Sequence, residues 1–438
     1  MRKGIKTQIS KKVNRKFKKM LKNRTNMSKP DVGNLRQVVL SVLKKRSPVL
    51  NRLLPKLNLK TSSKHKEKHF LRWLGKEGLD RDLSRDFLKA VKTRRMNYEY
   101  LMLDHSDIIK KYGKMEFIKR IRDGSTGELA NGYHVLNVMG VDSTGENMLP
   151  VYTDLYSVKE ENFKSNNQKV IDGVELLHNH FSRGIFVMDR EFDRNVLYEH
   201  FMNNGIQFIT RLKSQRHLII DGEETEFENW RKKTELTDII KGYKVHRNGK
   251  KKRIKFRAGL KRVKLNIEGY EDKTLYLLVM KKVKRGITRS QGFSYYLAYL
   301  PYIPEDDEVH IIRTISRGYG YRWRIEEYHR FIKQEYDYEA MQFGRYQALK
   351  NMNVILLIAM YFVFRGLKNI FMREIRQNFD RKEFERYKIG VYKFIYYELS
   401  RLLQDAIYSM NIYERKEERR TRPTANLFTC AGLEEWCA

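Results

Sequence analysis

Four side chains in one short stretch combine residue types and spacing that suit chemistry on phosphates. They are Tyr319, Arg322, Glu326 and Lys333; the stretch contains no proline, so residues 319–333 are predicted to form a single helix. At roughly 100° per residue, the four positions fall within a stripe about 60° wide. A carboxylate flanked by two cations and an aromatic ring could hold a metal ion beside phosphates. The alternative is an amphipathic surface helix on which Arg and Glu simply pair.

Two aspartates upstream could complete an acidic site with Glu326. Asp104 ends a strand-like run in L-M-L-D-H-S-D, and Asp189 ends a buried-strand run in G-I-F-V-M-D-R-E-F-D. An aspartate just after a strand is often a turn or helix-cap residue, and this interpretation stays open for either one alone. Neighbouring acids compete for the same positions and rank lower: Asp107, Glu191 and Asp193.

These motifs resemble those of a known family. The spacing Y-x2-R-x3-E-x6-K is similar to the signature of the insertion sequence 4 family of DDE transposases, and D-H-S and D-R-E-F-D resemble that family's D-x-[ST] and D-R-E-x-D boxes. The resemblance covers residues 97–340, roughly half the chain. It implies that Asp104, Asp189 and Glu326 are catalytic acids. They would hold two Mg²⁺ or Mn²⁺ ions about 3.5 to 4 Å apart at a scissile phosphate.

The resemblance also implies which residues contact DNA. Tyr319, Arg322 and Lys333 are expected to hold the phosphates of a flipped or distorted terminus. Arg211, in F-I-T-R-L-K, resembles an arginine that the family places near the transposon end. Trp323, one residue off the stripe, is expected to pack in the core.

Some relatives receive a flipped base on a tryptophan in the last strand of a β-rich insertion. This chain offers Tyr295 or Tyr296 at that place, so base flipping stays an open question. In the same insertion, Lys250, Lys251 and Lys252 could track a DNA backbone; the alternative is an exposed edge that lysines protect from aggregation.

The charge balance predicts a polyanionic partner. The 438 residues include 89 Lys and Arg against 53 Asp and Glu, which gives a formal charge of +36. Nucleic acid is a better candidate than an anionic membrane. Residues 1–24 are especially rich in Lys and Arg and could be a DNA-binding arm, or a solvated tail.

The cysteine content fits a reducing cytoplasm, and the resemblance implies a bacterial, nucleoid-associated protein. The two cysteines, Cys430 and Cys437, form neither a disulfide framework nor a zinc quartet. The N-terminus is charged and has no apolar core, which argues against a secretory signal and leaves an organellar transit peptide as a minor alternative. The apolar run at 354–364 is too short for a bilayer and predicts a buried helix, so we expect no membrane association.

Periodicity along the chain predicts an α/β fold. Three strand-like runs from residue 96 suggest a meander, and strands then alternate with helices, which is the order of a ribonuclease H-like mixed sheet. The predicted parts are a basic helical DNA-binding region (1–95), the first part of a catalytic core (96–212), a β-rich insertion that interrupts the sheet (213–307), a catalytic helix that completes the core (308–342), a helical C-terminal region (343–414) and a loose tail (415–438).

The resemblance implies a cut-and-paste DNA transposase. Such an enzyme binds terminal inverted repeats, cleaves DNA by two-metal hydrolysis and joins the 3′ ends to target DNA, acting as a homodimer in the synaptic complex. Two alternatives stay open. One is a metal-dependent nuclease or resolvase of the same fold, and the other is a catalytically idle DNA-binding derivative.

Overall fold

The computed structural model describes residues 27–57, 61–92, 98–145, 147–245, 251–283 and 292–366, with isolated positions at 15 and between 396 and 407. Within these residues the helices are α1 (Lys29–Lys45), α2 (Leu50–Leu53), α3 (Ser63–Leu74), α4 (Leu79–Val91), α5 (Asn166–Phe181), α6 (Asn195–Asn203), α7 (Phe227–Lys233), α8 (Glu308–Tyr321), α9 (Trp323–Glu335) and α10 (Tyr346–Tyr361). The basic arm predicted at 1–24, apart from Arg15, lies outside the described residues, as do half of the helix predicted at 392–403 and the predicted tail at 415–438.

The strands form one large mixed sheet and a small hairpin. They are β1 (Tyr100–Lys110), β2 (Lys119–Arg122), β3 (Leu129–Val141), β4 (Met148–Tyr156), β5 (Ile185–Met188), β6 (Phe208–Arg211), β7 (Leu218–Ile220), β8 (Glu223–Thr225), β9 (Asp238–Val245), β10 (Lys251–Val263), β11 (Leu275–Val283) and β12 (Phe293–Tyr299). The large sheet has the order β2-β3-β1-β5-β6-β12-β11-β10-β9, with β4 also on β3, and β7 pairs with β8. The pairs β1–β5 and β5–β6 are parallel and the other pairs are antiparallel. The predicted mixed α/β sheet is confirmed.

The β-rich segment extends the sheet, and the prediction that it interrupts the sheet was wrong. Its last strand, β12, pairs antiparallel with β6 from Tyr296 opposite Arg211 to Tyr299 opposite Phe208. Strands β11, β10 and β9 follow outward in turn. The physical reason is that one edge of β6 carries backbone groups that need partners, and the returning chain supplies them.

Strand β1 is longer than predicted, so Asp104 lies in its middle and not at its end. The strand pairs with β3 along its whole length, from Tyr100 to Lys110, but with β5 only as far as Met102. The polar run after Leu103 stays extended because β3 still satisfies its backbone groups. The pairing of β1 with β5 ends just before Asp104. A site can therefore form on the β5 side of β1 beyond that point.

The apolar C-terminal run forms the buried helix that was predicted. Helix α10 packs against β4 on one side and against α1 and α4 on another, so the N-terminal helices share its core. The segment Tyr346–Arg365 is long and apolar enough to cross a membrane, but 83% of its apolar 18-residue window is buried inside the protein. It is therefore the central helix of a packed core.

Candidate active site

Three carboxylates from separate elements converge on one guanidinium. Arg322 Nη1 lies 3.4 Å from Asp104 Oδ2, and its Nη2 lies 3.7 Å from Asp189 Oδ2. The same Nη2 forms a close ion pair with Glu326 Oε1. The structure thus brings together the three acids proposed from the sequence, with a cation of the same motif between them.

Sheet topology explains how the two aspartates meet. Strands β1 and β5 run parallel, and their pairing ends at Met102 opposite Val187. Asp104 and Asp189 follow just beyond that point. Asp189 also caps the short 3₁₀ turn after β5, since its Oδ1 accepts the N–H of Arg190 at 2.8 Å. The cap role and a place in the acid cluster therefore coexist in one residue.

The signature stretch forms two helices, and the prediction of a single helix was wrong. Helix α8 ends at Tyr321 and α9 begins at Trp323, with Arg322 between them. The chain tightens there, because the N–H of Arg322 bonds to Tyr319 O and that of Ile325 bonds to Arg322 O, both at 3.1 Å. Helix α8 lies over β5 and β6 while α9 lies over β1 and β3, and the tight turn redirects the chain from one pair to the other.

Because the three acids are partly buried and carry like charges, a cation among them is stabilising. The side chain of Asp104 is 15% exposed and that of Arg322 is 12% exposed. Burial raises the pKa of Asp104 to about 7, with Arg322 opposing the rise and Asp189 and Glu326 adding to it. Burial acts against the charge of Arg322, but the carboxylates around it raise its pKa above the ordinary value.

Tyr319 and Arg211 flank the cluster on the β6 side. The Tyr319 hydroxyl donates to Asp189 Oδ1 at 3.1 Å, and its ring lies 4.5 Å from that of Tyr296. Arg211 lies opposite Tyr296 in the sheet. Burial raises the pKa values of Tyr296 and Tyr319, and the positive charge of Arg211 opposes this rise. Tyr295 packs edge-on against Trp230, with ring centres 4.8 Å apart. Of the two candidate tyrosines, Tyr296 is therefore the one beside the acids.

Lys333 is held apart from the three acids. Its Nζ forms a close ion pair with Asp107 and lies 3.0 Å from Glu339 Oε1. Asp107 also accepts the N–H of Gly124 at 2.7 Å. The structure thus places Asp107, one of the competing acids, with Lys333 and not with Arg322.

The other competing acids differ in their surroundings. Asp193 is buried and accepts hydrogen bonds from the Tyr198 hydroxyl at 2.9 Å, Lys213 N–H at 2.8 Å and Arg216 Nε at 2.8 Å. These bonds fit a structural role. Glu191 is exposed, and its Oε1 lies 3.8 Å from His105 Nδ1, at the rim of the site.

Trp323 is 41% exposed, so the prediction that it packs in the core was wrong. It begins α9, and the Arg324 guanidinium lies 6.0 Å from its ring centre. Trp323 precedes Glu326 by three residues, so the two side chains lie on the same solvent-facing side of α9.

Sequence reasoning missed a buried contact that ties α9 to the sheet. The Asn137 amide donates to His329 Nε2 at 3.2 Å, and Asn137 is the β3 residue opposite Asp104. Burial lowers the pKa of His329 to about 3, and the charge of Lys333 adds to this. A histidine one turn after Glu326 was the available signal, but its partner comes from a distant strand.

The lysines of the β-rich segment stay a prediction. Lys250 lies outside the described residues, as do the side chains of Lys251 and Lys252. The same holds for the pair Asn248–Gly249, which the sequence predicts to be a two-residue hairpin turn. The strands that the turn would join, β9 and β10, are antiparallel neighbours.

The donor chemistry of the acid cluster fits a divalent cation. Carboxylate oxygens are the ligands that Mg²⁺ and Mn²⁺ prefer, and three acids in a partly buried place need positive charge. Among the described residues, no three His, Cys, Asp or Glu side chains are grouped as a metal site requires. The guanidinium of Arg322 lies among the acids in this arrangement.

Residues 164–362, a little under half of the chain, match the family described as the transposase DDE domain. The matched range contains Asp189 and Glu326 and begins after Asp104. The match supports a DDE transposase, and the mixed sheet with its helices is compatible with the ribonuclease H-like domain of such a protein. A search among curated proteins found no match.

Proposed function

We propose that this chain is a cut-and-paste DNA transposase of the insertion sequence 4 family, with Asp104, Asp189 and Glu326 as its catalytic acids. The observation that supports this most strongly is the convergence of the three carboxylates on Arg322. The transposase DDE domain match over two of the three acids supports the same conclusion. The setting would be the bacterial cytoplasm, at the nucleoid.

The proposed reaction has two steps. Water attacks a phosphodiester bond at an element end and frees a 3′-hydroxyl. That hydroxyl then attacks a phosphorus atom of target DNA, and one target phosphodiester bond breaks as the new bond forms. Two ends must be held together, so the active complex is proposed to be a homodimer on terminal inverted repeats and target DNA.

Asp104, Asp189 and Glu326 would hold two Mg²⁺ or Mn²⁺ ions. When bound, these ions supply charge stabilisation for the attacking and leaving oxygens of the phosphate. The chain itself orients the ligands, because Tyr319 and the backbone of Arg190 both donate to Asp189. Oriented carboxylates lose less entropy when they bind a cation.

The remaining residues are proposed to bind DNA. Arg211, Tyr319, Arg322 and Lys333 would grip phosphates near the cleaved bond, in keeping with the preference of guanidinium groups for phosphate. The lysines at 250–252 and the basic helical region at 1–95 would supply affinity along the duplex.

The test compares wild type with Glu326→Gln on a plasmid that carries both flanks of the gene's own locus, with Mg²⁺ or EDTA. Glu327→Gln is the matched control, because Glu327 is the next residue on α9 and pairs with Arg330. We expect metal-dependent cuts at two inverted termini and joining to a second plasmid. Glu326→Gln should lower cleavage by more than about 100-fold, since even outer partners of metal ligands cost up to about that much.

Products distinguish the alternatives. Cuts without joining would point to a nuclease or resolvase, and binding without cuts would point to an idle DNA-binding derivative. Glu326→Gln protein that cuts like wild type would refute the assignment of the acids.

A further inference from the structure

One side chain, Arg322, contacts every acid of the proposed catalytic set. Its two terminal nitrogens reach Asp104, Asp189 and Glu326, which come from β1, the end of β5 and α9. The Arg322 side chain is 12% exposed, and its contacts with all three acids place the guanidinium among them. A single positive charge there faces three carboxylates.

The position of Arg322 among the three acids sets it in competition with other ligands of the site. A guanidinium has five N–H donors in one plane, and at least two of its nitrogens here already face carboxylate oxygens. A divalent ion held by the same carboxylates needs the space and the oxygen lone pairs that Arg322 uses. A DNA phosphate needs the donors that the carboxylates use.

We propose that Arg322 is a built-in counter-ion that competes with the divalent ion for the three acids, and that metal entry releases it to bind a DNA phosphate. This inference rests on the proposed function, because it takes the three acids as the metal ligands. Metal and DNA would then favour each other through one movable side chain. By linkage, the factor by which metal tightens DNA binding equals the factor by which DNA tightens metal binding.

The signature's other cation shows that this arrangement is particular to Arg322. Lys333 pairs with Asp107 and Glu339, neither of which belongs to the proposed catalytic set. Arg330, on the same helix, pairs with Glu327 and is well exposed. Arg330 therefore offers a matched control, because it has the same residue type and the same kind of partner.

The experiment measures Mn²⁺ affinity of DNA-free protein from the electron paramagnetic resonance signal of unbound Mn²⁺. Wild type, Arg322→Gln, Arg322→Lys, Arg330→Gln and Glu326→Gln are compared, and thermal unfolding is followed by circular dichroism in EDTA. We expect Arg322→Gln to bind Mn²⁺ about 10-fold more tightly than wild type, within the usual 5- to 150-fold range of coupling between sites. Its melting temperature in EDTA should be lower than that of wild type, because the three acids lose their counter-ion.

The control variant Arg330→Gln and the conservative variant Arg322→Lys each have an expected Mn²⁺ affinity of their own. Arg330→Gln should bind Mn²⁺ like wild type. Arg322→Lys keeps a charge but loses the planar fork, so its affinity should lie between those of wild type and Arg322→Gln. It also keeps the test valid if Arg322→Gln does not fold.

Two outcomes separate failure of this inference from failure of the proposed function. Mn²⁺ binding that Glu326→Gln weakens, but that neither Arg322 variant strengthens, would overturn the counter-ion role and leave the catalytic site standing. Mn²⁺ binding that is absent from wild type and from every variant would overturn both.

Discussion

Asp193 and Asp189 stand four residues apart in one sequence box, yet they should respond to substitution in opposite ways. The Asp193 side chain is 1% exposed and forms a salt bridge with Arg216. It also accepts hydrogen bonds from the hydroxyl of Tyr198 and the backbone of Lys213. We therefore expect Asp193→Asn to destabilise the fold and to spare the chemistry.

The size of the effect follows from what the substitution leaves behind. Asparagine keeps the shape of the side chain but removes the charge opposite Arg216, whose side chain is only 17% exposed. Removing one partner of a buried ion pair costs about 3 to 5 kcal/mol, because the other charge stays buried and uncompensated. If the new amide NH₂ faced Lys213 N–H or Arg216, two hydrogen-bond donors would face each other, which destabilises the fold further. We expect the free energy of unfolding to fall by about 3 to 5 kcal/mol, a large share of the roughly 5 to 15 kcal/mol typical of folded proteins.

Asp189→Asn is the matched control. Asp189 is partly exposed and shares its surroundings with Asp104 and Glu326, so neutralising it relieves repulsion among the acids. Its free energy of unfolding should stay within about 1 kcal/mol of the wild-type value, as is usual for partly exposed sites. Its DNA cleavage, in contrast, should be lost.

The assay is urea unfolding followed by circular dichroism, combined with cleavage at a temperature where each variant is folded. Wild-type stability of Asp193→Asn together with loss of cleavage would refute the reasoning. That result would move Asp193 from the fold into the reacting set, and the order of acids in the box would have to be reassigned.

Two further predictions concern acid stability and salt. Because burial lowers the pKa of His329 to about 3, below the unfolded value near 6.5, its contribution to stability is present above pH 6.5 and is lost toward pH 3. The advantage of wild type over His329→Gln in unfolding free energy should shrink by about 2 kcal/mol from pH 7.5 to 5, and a constant difference in urea titrations would contradict a neutral imidazole. Replacing Lys250, Lys251 and Lys252 with Gln should lower the slope of log affinity against log salt for DNA by up to about 2.7, at about 0.9 per phosphate. An unaltered slope in filter binding would mean that these lysines are ordinary surface charges.

The acid cluster was accessible from sequence because it depends on short-range rules. A buried apolar run followed by Asp189 identifies a strand and its end, and helical spacing places Glu326 near Arg322. Parallel neighbouring strands then bring their carboxyl ends together. These rules indicate candidate acids, and the resemblance of the surrounding motifs to those of the insertion sequence 4 family selects the set from its neighbours.

The features that sequence missed depend on pairing between distant segments. Strand β1 continues through Asp104 because β3 supplies hydrogen bonds up to Lys110, although the polar run after Leu103 is typical of a strand end. The β-rich segment joins the sheet because β12 meets the edge of β6. No proline marks the turn at Arg322, and Gly320, two residues earlier, lies within α8. The turn follows from the different strands under α8 and α9.

Arg322 and Lys333, the two cations of the motif, are paired with acids, and this pairing affects DNA affinity and DNA positioning differently. A helical wheel predicts that Arg322 and Lys333 share a face, but it cannot predict that each is paired with acids of the same chain. A phosphate that binds either cation must displace a carboxylate, so the net gain per contact is smaller than for a free surface lysine. Most of the attraction that the +36 charge provides should therefore come from other basic segments, and the motif cations should govern where a phosphate comes to rest.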